Sequence, residues 1–110
     1  MKFKLFDMDL GPNDLQDQLP IKVTLIKEYF NSSSESDGWL AKCANPIKYG
    51  DLQIDFVVIK PRFVGVTIKS AKRICFGVAF VTDNSMIKEN SIDITKSEYV
   101  AIIDARRCLF

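Results

Sequence analysis

A basic stretch near the middle of the chain is the part of the sequence best suited to bind an anion. No carboxylate occurs from Phe56 to Thr82. Six residues of this region could meet on one surface of a sheet: Lys60, Arg62, Phe63, Lys69, Lys72 and Arg73. Their cationic groups would neutralise phosphates while the aromatic ring stacks on a base. We call residues 60–73 the basic hairpin. The competing interpretation is that these cations protect a sheet edge from aggregation.

Charge is distributed unevenly along the chain. Residues 1–55 carry six basic and nine acidic side chains, whereas residues 56–110 carry nine basic and five acidic ones. The formal net charge of the whole chain is only +1, and the isoelectric point of about 7.6 is far from that of a typical nucleic-acid-binding protein. An RNP-like motif is also absent. Binding of nucleic acid or of another anionic ligand is therefore the alternative interpretation rather than the first.

The residues that common enzymes use are scarce. The chain has no histidine, which removes the commonest general base and every Ser-His or Cys-His arrangement. Its five glycines form no phosphate-binding loop pattern. We therefore expect a non-catalytic protein without a cofactor. A small enzyme that relies on carboxylates or lysines is the third interpretation.

Acidic residues near the N-terminus could converge on a cation. Four aspartates lie there: Asp7, Asp9, Asp14 and Asp17. Their spacing matches no calcium-binding loop, so we interpret them as solvated turn and strand residues. We expect no metal site.

The cysteines and the apolar segments indicate the compartment. Cys43, Cys75 and Cys108 cannot all pair within one chain, and we expect them to be reduced. Cys43 and Cys75 lie in apolar sequence and are predicted to be core residues. The longest run without a charged residue is residues 74–82, nine residues, far too short to span a membrane, and the first residues lack a signal-peptide pattern. We expect a soluble, cytoplasmic protein.

Alternation with period two dominates the sequence and predicts strands. We expect strands at residues 2–8, 21–30, 39–44, 52–60, 64–69 and 74–82. Gly50, between Tyr49 and Asp51, predicts a tight hairpin turn. Residues 14–18 could form one helical turn.

Residues 96–107 are predicted to form the main helix. Thr95 and Glu98 have capping-box spacing, and Tyr99, Val100 and Ile103 fall on one helical face. A strand is the competing interpretation, because residues 99–103 are also a short apolar run. In the strand at residues 74–82 one face carries large side chains and the other small ones, and we expect the helix to cover the small face.

Apolar residues on two faces of one strand predict association. Val57 and Ile59 join Phe56 and Val58, so this segment needs a cover on both sides. Trp39 is a second candidate anchor, and a position in the core is the favoured interpretation of this residue. Another layer of the same chain, or another subunit such as a second copy in a homodimer, would supply that cover.

These observations predict one α+β domain, residues 1–110. Its mainly antiparallel sheet of five or six strands is strongly curved, either open or closed into a barrel, and carries one C-terminal helix. We expect a small binding domain that acts through protein–protein contact or self-association. Nucleic-acid or anionic-ligand binding through the basic hairpin is the alternative.

Overall fold

Antiparallel strands form a closed barrel in the computed structural model, which describes residues 1–30, 36–63, 68–69, 71–83, 85, 87 and 99–108. Within these residues there are six strands and one short helix: β1 (Lys2–Leu10), α1 (Asn13–Gln16), β2 (Ile21–Phe30), β3 (Ser36–Tyr49), β4 (Leu52–Pro61), β5 (Arg73–Phe80) and β6 (Tyr99–Cys108). Each strand pairs antiparallel with the next, and β6 pairs with β1. Because the barrel is closed, each of the six described strands has a paired neighbour on both sides.

Most of the predicted strands are confirmed. The mainly antiparallel, curved sheet is present, and it is closed. Tyr49 and Leu52 pair across the predicted turn, in which Gly50 has a φ of +60°, a value that favours glycine. The strand predicted at residues 64–69 falls mainly outside the described residues.

The predicted C-terminal helix is wrong for residues 99–107, which belong to strand β6. Ala101, Ile103 and Ala105 are buried, whereas the residues between them are more exposed, as a half-buried strand requires. The strand pairs with β5 on one side and with β1 on the other. The backbone hydrogen bonds that β6 makes with β1 and β5 thus outweigh the local helical pattern. The capping residue Thr95 lies outside the described part of the chain.

Large apolar side chains fill the interior of the barrel. Phe3 of β1 and Phe76 of β5 meet edge to face, with ring centroids 5.3 Å apart. Leu15 of α1 is buried against the same core. In β5 the large residues that share one face all point inward: Ile74, Phe76, Val78 and Phe80. Among the described residues, no helix has the length and apolar character needed to cross a membrane.

A smaller apolar cluster lies on the outer face of the barrel. Its buried members are Tyr29, Leu40, Val58, Ala79 and Val81. Phe56 and Ile87 pack against it. The small outer face of β5 is therefore covered in part by Ile87, from the segment that follows the strand, and not by a helix formed by residues 99–107.

Candidate anion-binding face

Four basic residues form a continuous row across the outer face of the barrel. Lys4 of β1 is paired with Lys22 of β2 on one side and with Arg106 of β6 on the other. Arg106 is in turn paired with Arg73 of β5. All four are exposed, because each alternates with residues whose side chains fill the interior. We call Lys22, Lys4, Arg106 and Arg73 the cation row.

The cation row is only weakly neutralised by its neighbours. Directly opposed like charges on adjacent strands are destabilising. Arg73 has Asp104 as a partner, with 3.6 Å between the guanidinium nitrogen and the carboxylate oxygen, at the exposed surface. Within the described residues, no carboxylate forms an ion pair with Lys4, Lys22 or Arg106. The row therefore concentrates positive charge on a chain whose net charge is close to zero.

Phe6 supports the end of the cation row that Arg106 and Arg73 form. The guanidinium carbons of Arg73 and Arg106 lie over its ring, 5.2 Å and 5.5 Å from the centroid. A register shift between Leu5 and Asp7 in β1 accompanies this position of Phe6 on the outer face. Cation–π contacts hold both guanidinium groups over one ring, which orients them beside each other despite their like charge.

The structure brings part of the basic hairpin next to this row. Lys60 pairs with Gly77 of β5, and the backbone N–H of Arg62 donates to the carbonyl of Cys75 at 2.9 Å. Phe63 is 59% exposed, and the guanidinium of Arg62 lies 5.3 Å from its ring centroid. Arg62 thus lies opposite Cys75, two residues along β5 from Arg73, with Phe63 next to it, whereas Lys60 lies two residues farther along β5.

The remaining predicted cations lie beside the end of β6. The carbonyl of Lys72 accepts a 2.8 Å hydrogen bond from the backbone N–H of Arg107, and that of Lys69 accepts a 2.6 Å bond from the Arg107 side chain. The side chains of Lys69 and Lys72 are exposed. Of the residues predicted for anion binding, Arg73 is the one that belongs to the cation row.

Sequence reasoning missed three members of the row and the aromatic ring beneath it. Lys4 and Lys22 occupy polar positions in segments where apolar and polar residues alternate. This alternation predicts that both side chains point outward from the sheet. Their assembly with Arg106 depends on the strand register at the barrel closure, which alternation within single segments does not specify.

Asp9, Cys75 and Asp104 form a small cluster on the same outer face. Their potential ligand atoms all lie within 4.8 Å of one another, and the Cys75 Sγ is 3.9 Å from an Asp9 carboxylate oxygen. Burial raises the pKa of the Cys75 thiol; a hydrogen bond with Arg62 lowers it, and the charges of Asp104 and Asp9 raise it further. The thiol is thus protonated at neutral pH, and a metal ion could bind it only by displacing that proton. Cys75 is half-buried on the outer face rather than in the core as predicted.

The residues predicted to form an association surface lie elsewhere. Val57 and Ile59 are 0% exposed and belong to the interior core, and Trp39 is half-buried against that core. Val58, on the outer side, is covered by the outer apolar cluster. Val57 and Ile59 are therefore not available for contact on the folded barrel, because the segment is covered within the chain itself.

Comparison with protein-family models, with curated proteins and with solved structures finds no match to this chain. The fold is that of a six-stranded antiparallel barrel in the described residues. A fold does not define a function by itself, so the chemistry of the barrel surface carries the functional information.

Proposed function

We propose that the protein is a non-catalytic binding domain for a phosphate-bearing polyanion, in the form of a single strand of nucleic acid. The observation that carries this proposal is the cation row, in which four adjacent strands each contribute one exposed basic residue at the same level of the barrel. Opposing like charges across three strand pairs is unfavourable in the free protein. A bound anionic chain would relieve that repulsion.

The dimensions of the row suit an extended chain better than a single small anion. Neighbouring strands are about 4.8 Å apart, so four strands span about 14 Å. This length allows contacts with successive phosphates of one backbone. Direct phosphate contacts of this kind would give affinity without sequence preference.

An exposed aromatic ring near the row favours nucleic acid over other polyanions. Phe63 is largely exposed next to Arg62, on the side of β5 away from β6. An exposed ring and a guanidinium plane can both stack on bases. An acidic protein surface would use the cations but would gain less from Phe63, and it is the alternative outcome of the test.

Fluorescence anisotropy with a short oligothymidine, labelled at its 3′ end, tests the proposal. The double variant Lys4→Gln/Arg106→Gln should weaken binding and reduce the slope of log Kd against log salt by about 1.4, since each single-strand phosphate contact contributes about 0.7. The matched control is Lys27→Gln/Lys48→Gln, which removes the same charge from exposed positions outside the cation row.

Two results would count against nucleic-acid binding. One is the absence of any binding by the wild-type protein at low salt. The other is an equal loss of affinity in the two double variants, which would mean that net charge rather than the cation row attracts the strand. Binding of an acidic polypeptide such as polyglutamate in preference to the oligonucleotide would assign the face to a protein partner.

A further inference from the structure

The barrel wall is open beside Lys4 and Lys22. The paired register between β2 and β3 begins at Val23 and Cys43, so residues 21–22 and 44–46 are not paired in that ladder. Pro46 cannot donate a ladder hydrogen bond, and the register of β3 against β4 shifts between Lys42 and Ile47. A pocket of about 230 Å³ occupies this gap.

Hydrogen bonds fix the rim of the pocket. Gln18, just after α1, donates from its side-chain nitrogen to the carbonyl of Lys48 at 2.8 Å and to that of Asp14 at 3.0 Å. The backbone N–H of Lys48 donates back to the Gln18 side-chain oxygen at 2.8 Å. The segment around α1 is thereby tied to β3, which holds this side of the pocket in place.

The lining of the pocket has the chemistry of an anion site. Lys4 and Lys22, which are directly paired in the cation row, both line it, and Asn45 adds a side-chain amide. Ile21 and Ile47 supply apolar surface. No carboxylate is among the described residues that line the pocket. A few convergent polar groups on an apolar base are typical of ligand sites.

We infer that this pocket binds the terminal phosphate monoester of the bound strand. This inference rests on the proposed function and names the part of the ligand that the end of the cation row recognises. A terminal monoester carries about −1.5 to −2 charges at neutral pH, which suits two neighbouring ammonium groups better than the single charge of an internal diester. Terminal recognition also agrees with the position of the pocket, because Lys22 is the last member of the row.

The size of the pocket supports a chain end. Pockets that enclose drug-sized ligands measure about 300–1,000 Å³, so this smaller space suits a phosphate and the sugar that carries it. An internal phosphate would need room for the chain to continue on both sides. The remaining nucleotides would then run outward over Arg106 and Arg73.

Three versions of one oligothymidine test the inference: 5′-phosphorylated, 3′-phosphorylated and with hydroxyl groups at both ends, each labelled at an internal base. We expect one of the two phosphorylated strands to bind about tenfold more tightly than the hydroxyl form, as a charge-assisted contact would allow. Equal affinity of all three strands overturns the terminal site while leaving the proposed function intact. Failure of all three to bind overturns both.

Variants locate the preference in the pocket. Asn45→Asp places a carboxylate beside Lys4 and Lys22 and should remove the preference for the phosphorylated end. The affinity for the strand with hydroxyl ends should fall by a smaller factor. Arg106→Gln, in the cation row but outside the pocket lining, should weaken all three strands by a similar factor and retain the preference. A preference that survives in Asn45→Asp at its wild-type size would exclude this pocket as its origin. Circular dichroism of both variants checks that the barrel is intact.

Discussion

Lys4 and Arg106 occupy directly opposed positions on β1 and β6, so two positive charges face each other across the seam that closes the barrel. Lys22 stands on the other side of Lys4 and Arg73 on the other side of Arg106, so each of these two inner residues has a cation on both flanks. Pairs of like charge at such positions reduce stability by a fraction of a kcal/mol to about 1 kcal/mol. Repulsion between these like charges therefore lowers the folding stability of the protein when no ligand is bound.

Removal of one of the two inner charges of the cation row should stabilise the fold. We expect Lys4→Gln to raise the free energy of unfolding by about 0.2–1 kcal/mol, because it relieves repulsion from both neighbours. Urea unfolding at low salt measures the change, and added salt should reduce it. The control is Lys48→Gln, since Lys48 is paired with the uncharged Gln53 and should show little effect. A clear loss of stability in Lys4→Gln would show that the row is not under electrostatic strain.

Neighbouring isoleucines in β6 distinguish a strand from a helix. Ile103 is fully buried in the interior, and Ile103→Ala should cost about 2–5 kcal/mol through lost burial and the cavity left behind. Ile102 points to the other face and is only partly buried, so Ile102→Ala should cost distinctly less. Denaturant unfolding of the two variants measures the difference. Similar costs at both positions would be inconsistent with a half-buried strand.

Local patterns were sufficient for most of the sheet but not for its last strand. The alternation in β2 and β5 and the glycine turn before β4 are properties of short segments, so they can be recognised in sequence. In β6, Tyr99, Val100 and Ile103 suit a helix as well as a strand. These residues form a strand because β6 pairs with two segments that are distant in sequence, Lys2–Leu10 and Arg73–Phe80. Closure of a barrel is a non-local property.

The same limit applies to the candidate site. Arg73, Arg62 and Phe63 could be predicted because a carboxylate-free stretch contains them. Lys4 and Arg106 become neighbours only through the register of the closing strands. The pocket at Lys22 depends in addition on an irregularity of β3, which the sequence indicates only by Pro46. A basic surface was therefore foreseeable in part, whereas its arrangement in a row was not.

The buried thiol of Cys43 should make stability depend on alkaline pH. Burial raises the pKa of Cys43 from 9.0 to about 12, with a further contribution from the charge of Asp55. The folded state thus retains the proton that the unfolded chain loses above pH 9. The stabilising contribution is complete below pH 9 and declines as the pH rises toward 12, because the unfolded state then binds fewer protons.

Urea unfolding between pH 8 and pH 10.5 measures this dependence, with Cys43→Ala as the control that lacks the thiol. We expect the decline in unfolding free energy with pH to be steeper in the wild-type protein than in the variant. Identical slopes would mean that the thiol titrates alike in both states. Thiol labelling gives an independent check, since Cys43 should react more slowly than the partly exposed Cys75 and Cys108 in the native protein.

Charged substitutions inside β4 separate a core role from a surface role. Val57 pairs with Ala41 and Phe80, and Ile59 with Trp39 and Val78, so both side chains are enclosed by neighbouring strands. A lysine at either position would place a charge in the apolar interior without a partner, at a cost of several kcal/mol. Because small domains have only about 5–15 kcal/mol of stability in total, Val57→Lys/Ile59→Lys should fail to fold.

Circular dichroism and light scattering of this double variant measure the outcome, beside Ile26→Lys as the control. Ile26 is an exposed isoleucine of β2, and its replacement by lysine should leave the fold and its stability nearly unchanged. Self-association of the wild-type chain remains a prediction from the sequence, and light scattering at high micromolar concentration tests it directly. If the double variant instead remained folded and monomeric while the wild-type protein formed a dimer, Val57 and Ile59 would belong to an interface between copies, and the interior position of both residues would be refuted.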